Sequence, residues 1–252
     1  MIIFPMAGLS SRFLKAGYTQ PKYMLDLAGR PLFHHTVAGF KKYFITETFV
    51  FVYRNIYETG SFIEEQVFRL GIPKEHCQLI CLDAPTSGQA ETVAIGARSL
   101  PEQRDDPLII FNIDTIRPDF KLPDFVNDGH CDGYLEVFEG EGNHWSFVDP
   151  SPLENLAKQV TEKVRVSNLC STGLYYFSRT SDFLQAYAST ESADPRELQG
   201  GERYVAPLYN VLIADGRKIR YNLVDAEDVL FSGTPDEYQL LLKRDGNGEL
   251  GL

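Results

Sequence analysis

The stretch MIIFPMAGLSSRFLKAGYTQPKYMLDLAGRPLF, residues 1–33, decides how the rest of the chain is read. Ile2–Met6 is a short unbroken apolar run, as expected of a strand covered on both faces. It breaks into Ala7-Gly8-Leu9-Ser10-Ser11-Arg12, and Lys22 follows within Pro21-Lys22-Tyr23-Met24-Leu25. Two readings fit. One is a tight strand-to-helix turn carrying two surface cations. The other is a phosphate cradle: small residues let backbone N–H groups approach a polyphosphate, the next helix offers its positive end, and Arg12 and Lys22 neutralise oxygens. Taken alone, the stretch supports both.

Working outward, strand-like and helix-like segments alternate. Residues 31–43 (PLFHHTVAGFKKY) begin with proline and carry Leu32, Phe33, Val37 and Phe40 at helical spacing. Residues 48–53 are a second buried strand. Residues 61–70 form an amphipathic helix stopped by Gly71 and Pro73. Residues 78–82 are a third strand, 89–99 a small-residue helix, and 107–113 a fourth strand ending at Asp114. This order predicts an α/β fold with a mainly parallel sheet flanked by helices. The second half differs. Strands at 133–138, 145–149, 158–166 and 173–178 lack clear helices between the first three, which predicts antiparallel additions. Helices at 181–188, 203–214 and 235–243 and a strand at 218–224 follow. Glu191–Gly201 reads as a mobile loop and Arg244–Leu252 as a frayed tail. With no repeat or linker, residues 1–252 read as one domain, divisible into halves 1–120 and 121–252.

Composition narrows the function. The 252 residues are 43% hydrophobic with a net charge of −11. The isoelectric point near 4.9 argues against a general nucleic-acid binder, which needs a basic surface. Clustered cations on such an acidic chain must therefore work locally. Cys77, Cys81, Cys131 and Cys170 form no CxxC pair and read as reduced structural thiols, which points to the cytoplasm. No signal segment and no run of roughly 20 apolar residues is visible, so membrane insertion is not expected.

In an open parallel α/β sheet, ligands bind outside the carboxyl ends of the strands. Three features fall there. The first is the Ala7–Arg12 loop. The second is Pro85–Thr92, where Gly88 and Ala90 leave room for a flat base and Gln89 or backbone groups read its edge. A helix start capped by Thr86 or Ser87 fits the same residues. The third is Asp114, an economical Mg²⁺ ligand, since Mg²⁺ takes one or two carboxylates plus substrate phosphate oxygens. An Asp capping the next turn is its plainer reading. His34 and His35 are adjacent on a helix, so their side chains diverge, and His144-Trp145 reads as packing.

These residues together resemble the nucleotidyltransferases of sugar metabolism, the NDP-sugar pyrophosphorylases and their cytidylyltransferase relatives. The family opens with a Gly-rich loop ending in Arg, then Lys-Pro-hydrophobic, then Gly-Lys/Arg-Pro-hydrophobic. Here these are Gly8–Arg12, Lys22–Leu25 and Gly29-Arg30-Pro31-Leu32. The family's Glu-Lys-Pro, Ser-Asn and Gly-hydrophobic-Tyr block appears as Glu162-Lys163-Val164, Ser167-Asn168 and Gly173-Leu174-Tyr175. Gly233-Thr234-Pro235 resembles its Gly-Thr-Pro turn. The resemblance spans nearly the whole chain.

The resemblance implies a Rossmann-like, GT-A-like fold, with residues 1–120 as nucleotide-binding half and 121–252 as acceptor-binding half. It implies that Met6, Ala7, Gly8, Ser10, Ser11, Arg12, Lys22, Ser87, Gly88 and Gln89 bind an NTP. Asp114 would hold Mg²⁺, Lys163 the acceptor's phosphate, and Glu162, Gly173 and Glu202 the body of the acceptor. Glu202 also suits the N-terminus of a following helix. The expected reaction passes NMP from an NTP to a phosphorylated small molecule and releases pyrophosphate. Three departures stand out. Tyr23 and Val164 replace prolines, and Phe231 stands two residues before the Gly-Thr-Pro turn, where the family places an aspartate. Asp225 or Asp228 is the expected substitute ligand. A sugar 1-phosphate is the default acceptor and CTP the first nucleotide choice, with a bacterial surface polysaccharide precursor as product. Phosphocholine or phosphoglutamine are alternative acceptors. A GT-A glycosyltransferase, echoed by Asn112-Ile113-Asp114, and a non-catalytic nucleotide sensor are the rival readings, and a homo-oligomer is left open.

Overall fold

Unbroken apolar runs become the buried strands. Ile2–Met6 forms β1, and the Ser11–Lys15 turn after it is α1. Asp26–Leu27 and Arg30–Pro31 pair as β2 and β3, leading into α2 (Leu32–Ala38). Next come β4 (Phe49–Arg54), α3 (Thr59–Leu70), β5 (Cys77–Leu82), α4 (Gln89–Arg98), β6 (Leu108–Phe111) and β7 (Thr115–Ile116). The short α5 (Asp124–Asn127) precedes β8 (Gly133–Glu139), β9 (Ser146–Pro150), β10 (Ala157–Glu162) and β11 (Leu169–Phe177). The chain closes with α6 (Thr180–Thr190), α7 (Tyr209–Ala214), β12 (Ile219–Leu223), β13 (Leu230–Phe231) and α8 (Pro235–Gly246). The computed structural model describes residues 1–99, 105–153, 155–191 and 198–252. Residues 192–197 of the expected mobile loop lie outside that set.

The fold is α/β with a mixed sheet, parallel through the first half, with β8–β11 added antiparallel and β12 parallel to β8. Two compact units share β1. One comprises residues 1–3, 86–111 and 122–226; the other comprises 4–85, 112–121 and 227–252. In the first unit, Ile2 and Ile3 pair in parallel with Ile109 and Ile110 of β6. Strand β11 runs antiparallel between β6 and β8, and β12 extends β8 in parallel. Its core stacks Phe177 on Tyr209 at 4.4 Å, and the Tyr209 hydroxyl donates to the Tyr134 and Tyr176 carbonyls. In the second unit β4 and β5 pair in parallel from Phe49/Cys77 to Arg54/Leu82. Phe4 stacks on Phe51 and meets Phe40 edge-on. A second cluster joins Phe13, Leu25, Leu27, Leu32, Ile116, Leu230, Tyr238 and Leu241. Among the described residues, no helix is long and apolar enough to cross a membrane. All four cysteines are free thiols.

Several boundaries differ from the sequence reading. The helix expected over 31–43 stops at Ala38 and resumes as a 3-10 turn at Lys41–Tyr43. Gly39 sits against the Arg117 carbonyl, where any side chain would collide, and its own carbonyl accepts from Phe120 N. The helix expected from 203 begins only at Ala206, because Arg203 backbone groups bond elsewhere. The expected fourth strand ends at Phe111, two residues short. The expected frayed tail is helical to Gly246, and Leu250 packs on the Phe13 cluster.

Candidate active site

In the unit of residues 4–85, 112–121 and 227–252, the first loop is anchored at both ends. Met6 and Ala7 are buried on one side and Phe13 on the other. Between them Ser10 adopts a left-handed backbone (φ 50°) and its Oγ accepts from Lys22 N at 3.3 Å. Gly8 is different. Its φ is not positive, and a Cβ built there would meet nothing within 4 Å. Neither strain nor packing requires glycine at this position. Ser11 and Arg12 are exposed on the first turn of α1. That helix has only five residues, so the loop N–H groups contribute more here than a helix dipole.

Lys22 starts a 3-10 turn whose Tyr23 is buried, its hydroxyl paired with Thr59 Oγ1 at 2.9 Å. Tyrosine at the family's proline position thus anchors the turn to α3. The turn delivers the Lys22 ammonium to Asp114, where Nζ donates to Oδ2 as an ion pair. The two side chains are 20% and 22% exposed, so solvent and ligands reach both. The Asp114 carbonyl accepts from Ser232 N and from Ser232 Oγ, each at 2.9 Å. This joins the short antiparallel pair β7–β13, in which Thr115 faces Phe231. A Cβ at Gly233 would lie 3.0 Å from Asp114 Oδ2, so glycine lets the chain pass the carboxylate closely. Thr234 and Glu237 then form a capping box at the start of α8, with Pro235 at its first position. Ser232 and Gly233 were not read as site residues from the sequence, although the Gly-Thr-Pro signature begins at Gly233.

Among the described residues, neither expected substitute carboxylate is placed beside Asp114 within its unit. Asp228 is exposed with Oδ2 4.0 Å from the Arg117 guanidinium, and Asp225 belongs to the other unit. Among the described residues, no group of three or more His, Cys, Asp or Glu side chains could hold a metal. His34 and His35 are buried separately, one against Gln66 and Arg30, the other against the Leu27 carbonyl.

The remaining predicted residues lie in the unit of 1–3, 86–111 and 122–226. Neither Thr86 nor Ser87 caps α4. Gly88 occupies the cap position with φ 147° and no side-chain cap, while Thr86 Oγ1 donates to the Gly88 carbonyl at 3.0 Å. Arg203 pairs with this loop through its backbone: its N donates to Ser87 O at 3.0 Å and its O accepts from Ala90 N at 2.8 Å. A Cβ at Gly88 would stand 2.6 Å from Arg203 N and O. Gln89 starts the helix.

Glu162 ends β10, and Lys163 follows with a left-handed backbone (φ 56°). Adjacent residues within a strand point to opposite faces. Here the strand ends between them, and Lys163 Nζ lies 3.9 Å from Glu162 Oε1. Glu162 is buried, and Ser146 Oγ donates to Oε2 at 2.5 Å and contacts Tyr175 OH at 3.2 Å. Gln199 Oε1 accepts from Glu162 N at 2.6 Å. Gly173 (φ 89°) lies in an irregularity of β11, between Ser171, opposite Val137, and Tyr175, opposite Leu135. Glu202 is exposed on extended backbone, four residues ahead of the next 3-10 turn, so it does not serve that terminus.

Burial pushes the Glu162 carboxyl above its ordinary pKa, while Ser146 and Lys163 pull it back and Glu202 raises it further. With the folded value above the unfolded one, the protonated form favours the fold. That contribution is complete below the ordinary glutamate value and is lost as pH rises through the raised one. Glu162→Gln keeps a neutral side chain throughout. Its melting temperature relative to the parent should therefore rise as pH is raised from the ordinary glutamate range through neutrality. A gap that stays constant across that range would show that the carboxyl is not shifted upward.

No protein-family model and no curated protein matches the chain. Among solved structures, a nucleoside-diphosphate-sugar pyrophosphorylase from Vibrio cholerae RC9 is 46% identical, with 96% of this chain and 100% of that one covered and a TM-score of 0.90. The inositol-1-phosphate CTP transferase from T. maritima is 14% identical, with 99% and 96% covered and a TM-score of 0.70. A UDP-glucose pyrophosphorylase from Acinetobacter baumannii is 18% identical, with 100% and 94% covered and a TM-score of 0.68. The last two show a shared fold.

Proposed function

The chain belongs to the nucleoside-diphosphate-sugar pyrophosphorylase family, and from that premise we propose that it is a nucleotidyltransferase acting on a sugar phosphate. An oxygen of the acceptor phosphate attacks the α-phosphorus of an NTP. The bond from that phosphorus to the β-phosphate oxygen breaks, and pyrophosphate leaves with the electron pair. The observation that carries this reading is the Lys22–Asp114 ion pair, its lysine in the same turn that is bonded to Ser10 of the open loop. It provides a cation for phosphate and a carboxylate for a metal in one place, on a chain otherwise strongly acidic.

The chain's residues supply positioning and charge. Loop N–H groups at Ala7–Ser11 and the side chains of Arg12 and Lys22 bind the triphosphate. The Ser87–Gln89 loop, fixed by Arg203, takes the base. Lys163 neutralises the acceptor's phosphate, and Glu162, Gly173 and Glu202 orient the rest of that molecule. Asp114 fits Mg²⁺, because this cation is satisfied by one carboxylate when phosphate oxygens and waters complete its shell. When bound, Mg²⁺ withdraws charge from the phosphoryl oxygens as a Lewis acid.

A sugar 1-phosphate with CTP is the pair we place first, and a surface polysaccharide precursor is the product that the family resemblance favours. A panel of four NTPs against phosphorylated metabolites, read by pyrophosphate release, tests this. One NTP should turn over with sugar 1-phosphates at least tenfold faster than with other acceptors. Calorimetric NTP binding without pyrophosphate release on any acceptor would make the protein a nucleotide sensor instead.

A further inference from the structure

We propose that Tyr204 is a second phosphate-binding residue of the acceptor site, its hydroxyl donating to the same phosphate that the Lys163 ammonium neutralises. The proposal rests on Lys163 being the cation of that site. It starts from how firmly Lys163 is placed. Its N–H donates to the Trp145 carbonyl at 2.9 Å, and its left-handed backbone turns the side chain away from the line of β10. A non-glycine residue in this region carries a conformational cost that the surrounding structure must hold in place.

The ammonium is then held by one aromatic side chain in two ways. Nζ donates to the Tyr204 hydroxyl, and it stands 4.4 Å from the centroid of the Tyr204 ring, within cation–π range. A phenol oxygen that accepts from an ammonium keeps its own hydrogen to give elsewhere. Among the described residues, none accepts it. Burial holds the Tyr204 phenol above its ordinary pKa despite the neighbouring lysine, so it keeps that hydrogen at neutral pH. The Lys163 ammonium and the Tyr204 hydroxyl are thus adjacent donors, one charged and one neutral, which suits two oxygens of a single tetrahedral anion. Glu162 leaves the ammonium free for this place, since its Oε2 is occupied by Ser146 and its Oε1 lies 3.9 Å from Lys163 Nζ, beyond hydrogen-bond reach.

The test titrates inorganic phosphate into the full chain and follows the Lys163 ε-CH₂ NMR resonance, assigned by its loss in Lys163→Met. The resonance reports this site and not phosphate bound elsewhere. In the parent protein it should shift and saturate. Tyr204→Phe keeps the ring and removes the donor, and the apparent Kd should rise about tenfold, as expected for one hydrogen bond to a charged group. Tyr204→Leu removes both and should weaken binding at least as much. Melting curves of the variants confirm folding. Equal affinity in the parent and Tyr204→Phe would overturn the proposal while leaving Lys163 as the acceptor's cation. Weakening confined to Tyr204→Leu would also overturn it, by assigning the effect to the ring. No shift in the parent at saturating phosphate would remove Lys163 from the acceptor site, and Tyr204 with it.

Discussion

Asp114→Ala should lower kcat by about a thousandfold, or roughly 4 kcal/mol of transition-state stabilisation, while hardly changing stability. The two halves of this expectation rest on different atoms. The backbone carbonyl of Asp114, not its carboxylate, accepts both hydrogen bonds from Ser232 and holds β7 beside β13. Alanine keeps those bonds. The carboxylate's structural partner is Lys22, in a partly buried pair that solvent still reaches, and its contribution is expected to be on the order of 1 kcal/mol. Steady-state pyrophosphate release and thermal unfolding measured on one preparation would separate the effects. A kcat within about tenfold of the parent would remove the carboxylate from the chemistry. A large loss of stability would mean that the Lys22 pair is a structural device first.

Gly88→Ala should act in the opposite manner, lowering stability by about 3 kcal/mol or more and weakening NTP binding with it. With φ 147° and ψ −180°, Gly88 occupies a region essentially restricted to glycine, where a side chain costs about 1–3 kcal/mol. The new methyl would also stand 2.6 Å from backbone atoms of Arg203, and backbone cannot rotate away as a side chain can. Forced repacking adds a further ~1–3 kcal/mol. For a chain this long, about 3 kcal/mol corresponds to a fall in Tm on the order of 10 °C. Gly8→Ala is the internal control. It meets nothing within 4 Å and needs no unusual φ, so its Tm should stay put while its KM for NTP rises. Equal Tm values for the two variants would contradict the pairing of Arg203 with the Ser87–Ala90 loop.

The parallel half of the fold was legible because its strands are written as continuous apolar runs. Ile2–Met6, Phe49–Arg54 and Leu108–Phe111 are fully or almost fully buried, and no helix-period pattern competes with them. Two of the misread boundaries share one cause. Gly39 and Arg203 are local continuations of a helix, and each leaves that path because of a distant partner. Arg203 bonds to a loop more than a hundred residues earlier in the chain. No periodicity encodes such a bond. The capping residues before α4 were misassigned for the same reason, since the cap geometry there is set by Arg203.

The site divides along the same line. Residue identity, motif order and the family's signature blocks are properties of the sequence, and they were enough to select Arg12, Lys22, Asp114, Glu162 and Lys163. They also marked Phe231 as a departure from the expected aspartate. Which of these side chains touch was decided only by tertiary structure. Lys22 reaches Asp114 across 92 positions because the Tyr23 anchor and the β7–β13 pair place their two turns together. Lys163 reaches Tyr204 across 41 positions because β10 ends at Glu162 and the backbone turns left-handed. A sequence specifies charges and hydrophobic periods locally. The meeting of two side chains depends on strand register, on loop path and on a few backbone angles, which the folded chain sets as a whole.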